Sequence, residues 1–484
     1  MDGPSGGESH PLRRVGGVIL HRYDSKGWEG WDVRAVPLIP DGMPILVDED
    51  LCFEDGHVCR PATVMSRWLR ELPVSGAPSP RTWQAYAGVL KGWAEFLAAR
   101  GVDVFADRCE LRDAVSVYAE HRLSGPLDVR FRPASWNLAV KTLSGFYQWA
   151  AAEGHVASVP FTYAPRSVIR PDGVRVEVAK NLATVRTGNA HATRKYLEQP
   201  YVELLMNALA GNDASGARDG FRGRETGRNA AVIGLALGSG LRAREFTYLT
   251  VYEVPPLPAR RSDVPVRLAV APPTAKGGRG RCSWIDYDAL ARVHSYVELE
   301  RAVSLQGSRW QPAEPLHVEA PTYDGARING TSRRWHTLTH EERVRLVAPG
   351  GGSALLAVRA GGEPFVDWAT VLARTSARVR ERYEPGFPHV HPHMTRHTFA
   401  MATLERLVRG YYQQAARLAV DTGGDDAMAL YLTKADPLLV LRDLLGHSSA
   451  VTTQAYLHLL DTQRIYRDAY EGVMPPVGVV DEEL

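Results

Sequence analysis

The chain has 484 residues, a formal net charge of +2 and 44% hydrophobic residues. That size holds two or three domains, and the composition is ordinary for a globular protein. No run of about 18 apolar residues occurs, the first residues lack the apolar core of a secretory signal, and the 4 cysteines form no paired framework; a membrane span and a disulfide scaffold are not expected, and a reducing cytoplasm is. The net charge does not itself demand nucleic acid. Only 7 of the 57 basic residues are lysine. Arginine suits bidentate phosphate contacts, although a GC-rich genome gives the same bias.

Residues 1–60 read as an irregular, β-leaning extension of unknown role. Pro44, Ile45, Leu46 and Val47 have strand character, as do the residues after Val36, but prolines interrupt both. Cys52, His57 and Cys59 could suggest a metal, but no second ligand pair follows, and the cysteines read as ordinary thiols. Residues 61–170 read as a helical domain. Its clearest helix opens at Ser79 and Pro80, a cap followed by proline at the first helical position. Trp83, Tyr86, Leu90, Trp93 and Leu97 then form one apolar stripe. Further helices start near Glu110 and Ser135.

Residues 171–192 read as a linker, and 193–484 as a second domain. This domain opens with a helix over 199–209, then a buried helix over 230–237 that stops at Gly238 and Gly240. Residues from Val266 and from Arg281 form a predicted β-hairpin with Lys276 at its turn. Stretches near 300–385 and 405–435 read as insertions. Asp436 and Pro437 read as the cap and first residue of another helix, and Gly446 as its stop.

Four stretches of the second domain carry chemistry. They are Gly240 to Glu245 (G-L-R-A-R-E), Thr274 to Arg279 (T-A-K-G-G-R), His391 to Ala400 (H-P-H-M-T-R-H-T-F-A) and Leu445 to His458 (L-G-H-S-S-A-V-T-T-Q-A-Y-L-H). Together they offer two arginines, a lysine, histidines and one tyrosine. No carboxylate set for Mg²⁺ and no P-loop accompanies them, so an NTPase is not expected. Such a set can transfer a phosphoryl group to a side chain. Tyr456 would attack phosphorus, and a phenol with pKa near 10 must lose its proton to do so. Two arginines can hold the charge on the non-bridging oxygens, and a lysine can protonate the departing alkoxide. A rival reading takes His389, His391, His393 and His397 as a metal cluster of a metal-dependent phosphoesterase. Arg396 within that stretch would repel a divalent cation.

These stretches resemble the tyrosine recombinase, or phage integrase, family. Gly240, Leu241, Arg242 and Glu245 match its first arginine box. Pro392, His393, Arg396, His397, Thr398, Phe399 and Ala400 match the second. Leu445, Gly446, His447, Ser448, Ser449, Thr452, Thr453, Tyr456 and His458 match the nucleophile box. The boxes stand in the family's order, with the lysine-tipped hairpin between the first two. Thr395 stands where the family often has leucine.

The resemblance implies a mainly α fold with a small β-sheet or hairpin in the C-terminal catalytic domain. It implies a two-domain clamp on double-stranded DNA, with 61–170 as the core-binding domain. Arg242 and Arg396 are implied to bind the scissile phosphate, and Lys276 to protonate the 5′-hydroxyl. His393 is implied as general base or phosphate ligand, His447 as a hydrogen-bond donor to the phosphate, and Tyr456 as the nucleophile of a 3′-phosphotyrosyl intermediate. Glu245 and His397 are implied to be supporting residues. No metal, ATP or other cofactor is implied. A homo-tetramer on two DNA sites is, with an accessory bending or directionality protein left open. Integration, excision and resolution, of a mobile element in particular, are equally compatible. Besides the phosphoesterase, the rival is a catalytically silent DNA-binding protein of the same fold.

Overall fold

A computed structural model describes residues 17–24, 39–55, 57–77, 79–169, 174–186, 196–421 and 436–446, with Thr453, Gln454, Tyr456 and Ile465. The chain is mainly helical with small sheets and divides into two compact units, Met1–Ala190 and His191–Leu484.

The first unit begins with β1 (Val18–Arg22) paired antiparallel to β2 (Pro44–Asp48). A short hairpin, β3 (Glu54–Asp55) with β4 (Val58–Cys59), leads into α1 (Pro61–Glu71). Although the sequence suggests an extension, Val18, Met43 and Leu46 are buried in the same core as Trp68 and Leu69 of α1. Ser66 fastens the two elements: its hydroxyl donates to the Leu46 carbonyl at 2.9 Å and accepts from the Leu46 N–H at 2.8 Å. The prolines that obscure the strand sit at its ends and leave its pairing intact.

Three longer helices complete the bundle: α2 (Pro80–Ala98), α3 (Arg108–Leu123) and α4 (Pro133–Ala152). The aromatic stripe of α2 is buried throughout. Its polar tips are satisfied, as buried aromatics require. Trp93 Nε1 donates to Tyr147 Oη at 2.8 Å, and Tyr147 Oη donates to the Val104 carbonyl at 3.0 Å. Asp107 caps α3 by accepting from the N–H groups of Cys109 and Glu110. Beyond α4, β5 (Tyr163–Ile169) and β6 (Arg175–Asn181) form an antiparallel ribbon. Its first strand closes the stretch read as the helical domain, and β6 lies in the stretch read as a linker. Most of its side chains are exposed, so the alternation that reveals a half-buried strand is absent. Residues 171–173 and 187–192 of that stretch lie outside the described residues.

In the second unit, α5 (Gln199–Ala210) and α6 (Thr226–Ser239) precede the short α7 (Ala243–Thr247). The hairpin β7 (Val266–Val270) and β8 (Arg281–Ile285) follows, with Val266 opposite Ile285. Then α8 (Tyr287–Tyr296) passes through a π turn into α9 (Ala302–Leu305). Helix α6 is the centre of this unit: Ala231, Val232, Ile233, Leu235 and Ala236 are buried, and α5, α8 and α12 (Pro392–Asp421) pack around it. A helix apolar on most sides must be enclosed in this way.

Residues 316–347 fold where the sequence shows little periodicity. Strands β9 (Leu316–Glu319), β10 (Gly325–Ile328), β11 (Thr331–Arg334) and β12 (Leu346–Val347) form one sheet in the order β11-β10-β9-β12, with α10 (His340–Val344) beside them. Strands of two to four residues are too short to print a period. A small core of Val318, Ile328, Trp335, Leu338 and Leu346 holds them. The buried Arg343 ties this subdomain to the rest, donating to both carboxylate oxygens of Glu253 (2.6 and 2.9 Å) and to the Tyr248 carbonyl (3.0 Å). Helix α11 (Trp368–Arg382) then joins the main core through Trp368, Leu372 and Val379.

Helix α12 runs unbroken to Asp421, through the first part of the stretch read as a second insertion; 422–435 lie outside the described residues. Helix α13 (Pro437–Leu445) has the ends its sequence announces. Asp436 caps it by accepting from the Leu438 N–H, Pro437 opens it, and Gly446 ends it at φ 61°. Among the described residues no helix is long and apolar enough to cross a membrane.

Candidate active site

The site forms where two helices end and a third begins. Helix α6 stops at Gly240, which adopts φ 64°, a conformation that favours glycine. A Cβ there would also lie 2.2 Å from the Phe399 ring. The turn sets Arg242 at the N-cap of α7. Glu245, one turn on, accepts from the Arg242 N–H at 2.7 Å and from its guanidinium at 3.1 Å. Glu245 is 3% exposed. Burial pushes its carboxyl up, but hydrogen bonds and charge from Arg281, with help from Arg242, hold it below the usual carboxylate range.

Arg281, the first residue of β8, meets Glu245 face to face. Its two terminal nitrogens donate to the two carboxylate oxygens at 2.6 and 2.7 Å, and its Nε donates to the Leu444 carbonyl at 3.2 Å. Arg396, in the first turns of α12, is 2% exposed. It donates to the Gly240 carbonyl at 2.7 Å and to the Leu445 carbonyl. Helix C-termini leave such carbonyls without intrahelical partners and carry partial negative charge. The ends of α6 and α13 therefore grip one guanidinium between them. Both acceptors are backbone carbonyls. Burial, and the nearby Arg242 and Arg281, push its pKa down to about 9. Two of these three guanidiniums bond to Glu245, and Arg396 feels its charge without a bond.

Tyr456 lies in the core formed by Phe399, Leu404, Leu441 and Leu445, and is 7% exposed. Its N–H donates to the Thr453 carbonyl at 3.0 Å, so a helical turn carries it. Its hydroxyl is 2.7 Å from His397 Nδ1. Burial raises its pKa, and the positive charge of Arg396 offsets part of the rise. The His393 and His397 rings meet edge to face, 4.5 Å between centroids, one turn apart on α12. Among the described residues no group of three or more His, Cys, Asp or Glu side chains is placed to hold a metal ion.

No family model matches the chain. A curated relative, tyrosine recombinase XerC of Bradyrhizobium diazoefficiens, is 26% identical over 418 residues, which cover 86% of this chain and 94% of that one. Over most of its length the chain is thus similar to a tyrosine recombinase. In backbone the chain is similar to the XerH site-specific recombinase bound to a palindromic difH substrate, with 14% identity and a TM-score of 0.43 over 85% of this chain and 84% of that one. It is also similar to the Tn1549 transposon integrase in complex with circular intermediate DNA, with 13% identity and a TM-score of 0.42 over 81% and 94%.

In this chain Arg242, Glu245, Arg396, His397 and Tyr456 converge through the contacts above. His393 stands beside them through His397. The backbone of Lys276 lies in the turn between β7 and β8, where Gly277 and Gly278 take positive φ. The Lys276 side chain and all of His447, Thr452 and His458 lie outside the described residues. His389 and His391 are exposed on the approach to α12. Arg244 faces away, with its guanidinium on the His340 ring of the inserted subdomain. Thr395 is fully buried and donates to the Pro392 carbonyl at 2.9 Å, a packing residue of the first turn. Sequence reasoning missed Arg281, since an arginine near a glycine-rich turn reads as solvated.

The tight turn has a direct consequence. Gly240→Ala is expected to destabilise the protein by about 3 kcal/mol, from the left-handed backbone and the Phe399 contact together. Urea unfolding checks this, and a loss below about 1 kcal/mol would mean the turn relaxes freely.

Proposed function

We propose that the protein is a site-specific DNA recombinase that cleaves and rejoins strands through a 3′-phosphotyrosyl intermediate on Tyr456. The observation that carries the reading is the charge imbalance beside a buried tyrosine: Arg242, Arg281 and Arg396 surround a single carboxylate, Glu245. Such a site is short of negative charge, and a phosphodiester supplies it. Homology to the recombinase above supports strand breaking and rejoining.

In this reading Arg242 and Arg396 hold the non-bridging oxygens, and His447 donates a further bond. Tyr456 Oη attacks phosphorus and the bond to O5′ breaks. The phenol's proton passes to His393, and Lys276 gives a proton to O5′. The phosphotyrosine keeps the bond energy, so a 5′-hydroxyl attacking it restores the backbone without ATP. His397 supports the phenol before attack. The first unit grips the duplex, mostly through phosphates. Four copies on two DNA sites perform the exchange, which serves integration, excision or resolution, with a mobile element as the DNA moved.

A covalent-trapping assay tests this. The full chain is mixed with nicked duplexes from the neighbourhood of its own gene, with EDTA present, and denatured in SDS. The expected result is a DNA-linked protein whose modified peptide contains Tyr456. Cleaved DNA with no linked protein, or cleavage abolished by the chelator, would replace the recombinase with a hydrolytic phosphoesterase.

A further inference from the structure

We propose that Arg281 is a positioning residue that sets the geometry of the strand-transfer site, an inference that rests on the function proposed above. Its side chain is 8% exposed and its partner Glu245 1%. A buried pair of this kind costs desolvation and is kept only where its geometry is well satisfied. Here both carboxylate oxygens and one helix-end carbonyl take up the guanidinium.

What the contacts join is the reason for the assignment. Glu245 is the group that fixes both the backbone N–H and the guanidinium of Arg242. Leu444 is the penultimate residue of α13, whose last carbonyl, on Leu445, holds Arg396. Arg281 itself opens β8, five residues after Lys276 on the same hairpin. One planar group therefore connects three segments that are distant in sequence and carry the lysine, the first arginine and the approach to the nucleophile. The fit is close on the α13 side as well. A Cβ at Gly446 would lie 2.7 Å from Arg281 Cδ, so the glycine that ends α13 also makes room for this arginine. A planar fork can make these bonds in one plane; a lysine reaches only part of them.

The test uses the full chain with Arg281→Met and Arg281→Lys beside the wild type. At saturating nicked DNA, Arg281→Met is expected to form adduct about 100-fold more slowly per folded molecule, the scale of a misplacement of about 1 Å. DNA affinity should stay within about 3-fold, because the phosphate contacts of the first unit are untouched. Arg281→Lys should recover about 10-fold of the loss by restoring one charge-assisted bond. If Arg281→Met folds poorly, Glu245→Gln attacks the same pair from the other side and is expected to show the same split. A second readout needs no turnover. In the ¹⁵Nε side-chain NMR spectrum of the DNA-free protein, the Arg242 and Arg396 signals should shift and broaden in Arg281→Met. Unmoved signals, or adduct formation at the wild-type rate per folded molecule, overturn the positioning role. Failure of the wild type to form any adduct overturns the recombinase reading, while the spectrum still decides the role of Arg281.

Discussion

Replacing Tyr456 with phenylalanine is expected to abolish the covalent DNA adduct while leaving the fold and DNA binding in place. The substitution removes one oxygen from a side chain packed among Phe399, Leu404, Leu441 and Leu445. The ring fills the same volume, so no cavity opens. What is lost structurally is the hydroxyl's bond to His397, worth about 0.5–1.5 kcal/mol. Chemically the loss is complete, since phenylalanine offers no oxygen to phosphorus. Three measurements separate these effects: SDS-stable adduct, affinity for the nicked duplex, and thermal midpoint. An adduct that survives would move the nucleophile to another tyrosine, with Tyr466 and Tyr470 as the nearest candidates downstream. A collapse of the midpoint would instead make Tyr456 a core residue whose hydroxyl serves packing.

The hydroxyl's environment sharpens this expectation. Burial keeps the phenol protonated in the DNA-free protein, and the Arg396 cation works in the opposite direction. Placing a phosphodiester near Arg396 neutralises part of that cation. Loss of the phenolic proton therefore has to be assisted by a base at the moment of attack. His397 touches the hydroxyl, and His393 touches His397. Two imidazoles on successive turns of α12 thus reach from the phenol toward the exposed end of the site.

The parts of this molecule legible in its sequence are those whose signals are local. Asp436, Pro437 and Gly446 delimit α13 through caps that operate within a few residues. The stripe from Trp83 to Leu97 fixes the buried face of α2 by spacing alone. The side chains of the candidate site stand out in the sequence for another reason: their types and order are those the proposed chemistry would use. Its acceptors do not. Arg396 rests on the backbone carbonyls of Gly240 and Leu445, 156 and 49 residues away in sequence, and backbone atoms leave no mark in residue identity. Arg281 was missed because its burial depends on Glu245, 36 residues before it, and Leu444, 163 residues after it. The subdomain over 316–347 escaped because its strands are too short to alternate, and because Arg343 anchors it to Glu253 across 90 residues.

Arg396→Met is expected to slow adduct formation by about 1000-fold while changing the stability of the free protein by less than about 2 kcal/mol. The two halves of that statement come from one feature. Arginine stays protonated in proteins, so a pKa pushed down to about 9 expresses how poorly its charge is compensated. A depression of that size corresponds to about 5 kcal/mol at most. Methionine removes this cost and also removes the bonds to the Gly240 and Leu445 carbonyls, each worth about 1.5–3 kcal/mol when the donor is charged. The terms nearly cancel, so stability moves little. Reaction has no such offset, because methionine offers nothing to a phosphate oxygen. The same logic predicts an anion effect in the absence of DNA. Added phosphate should raise the melting temperature of the wild type more than that of Arg396→Met, since the ion binds the folded state through the missing charge. Equal rises in both proteins, or a loss above about 4 kcal/mol on substitution, would show Arg396 to be a strut between two helix ends. A selective rise for the wild type would mean that the free protein holds its arginines at an energetic cost which the scissile phosphate relieves on binding.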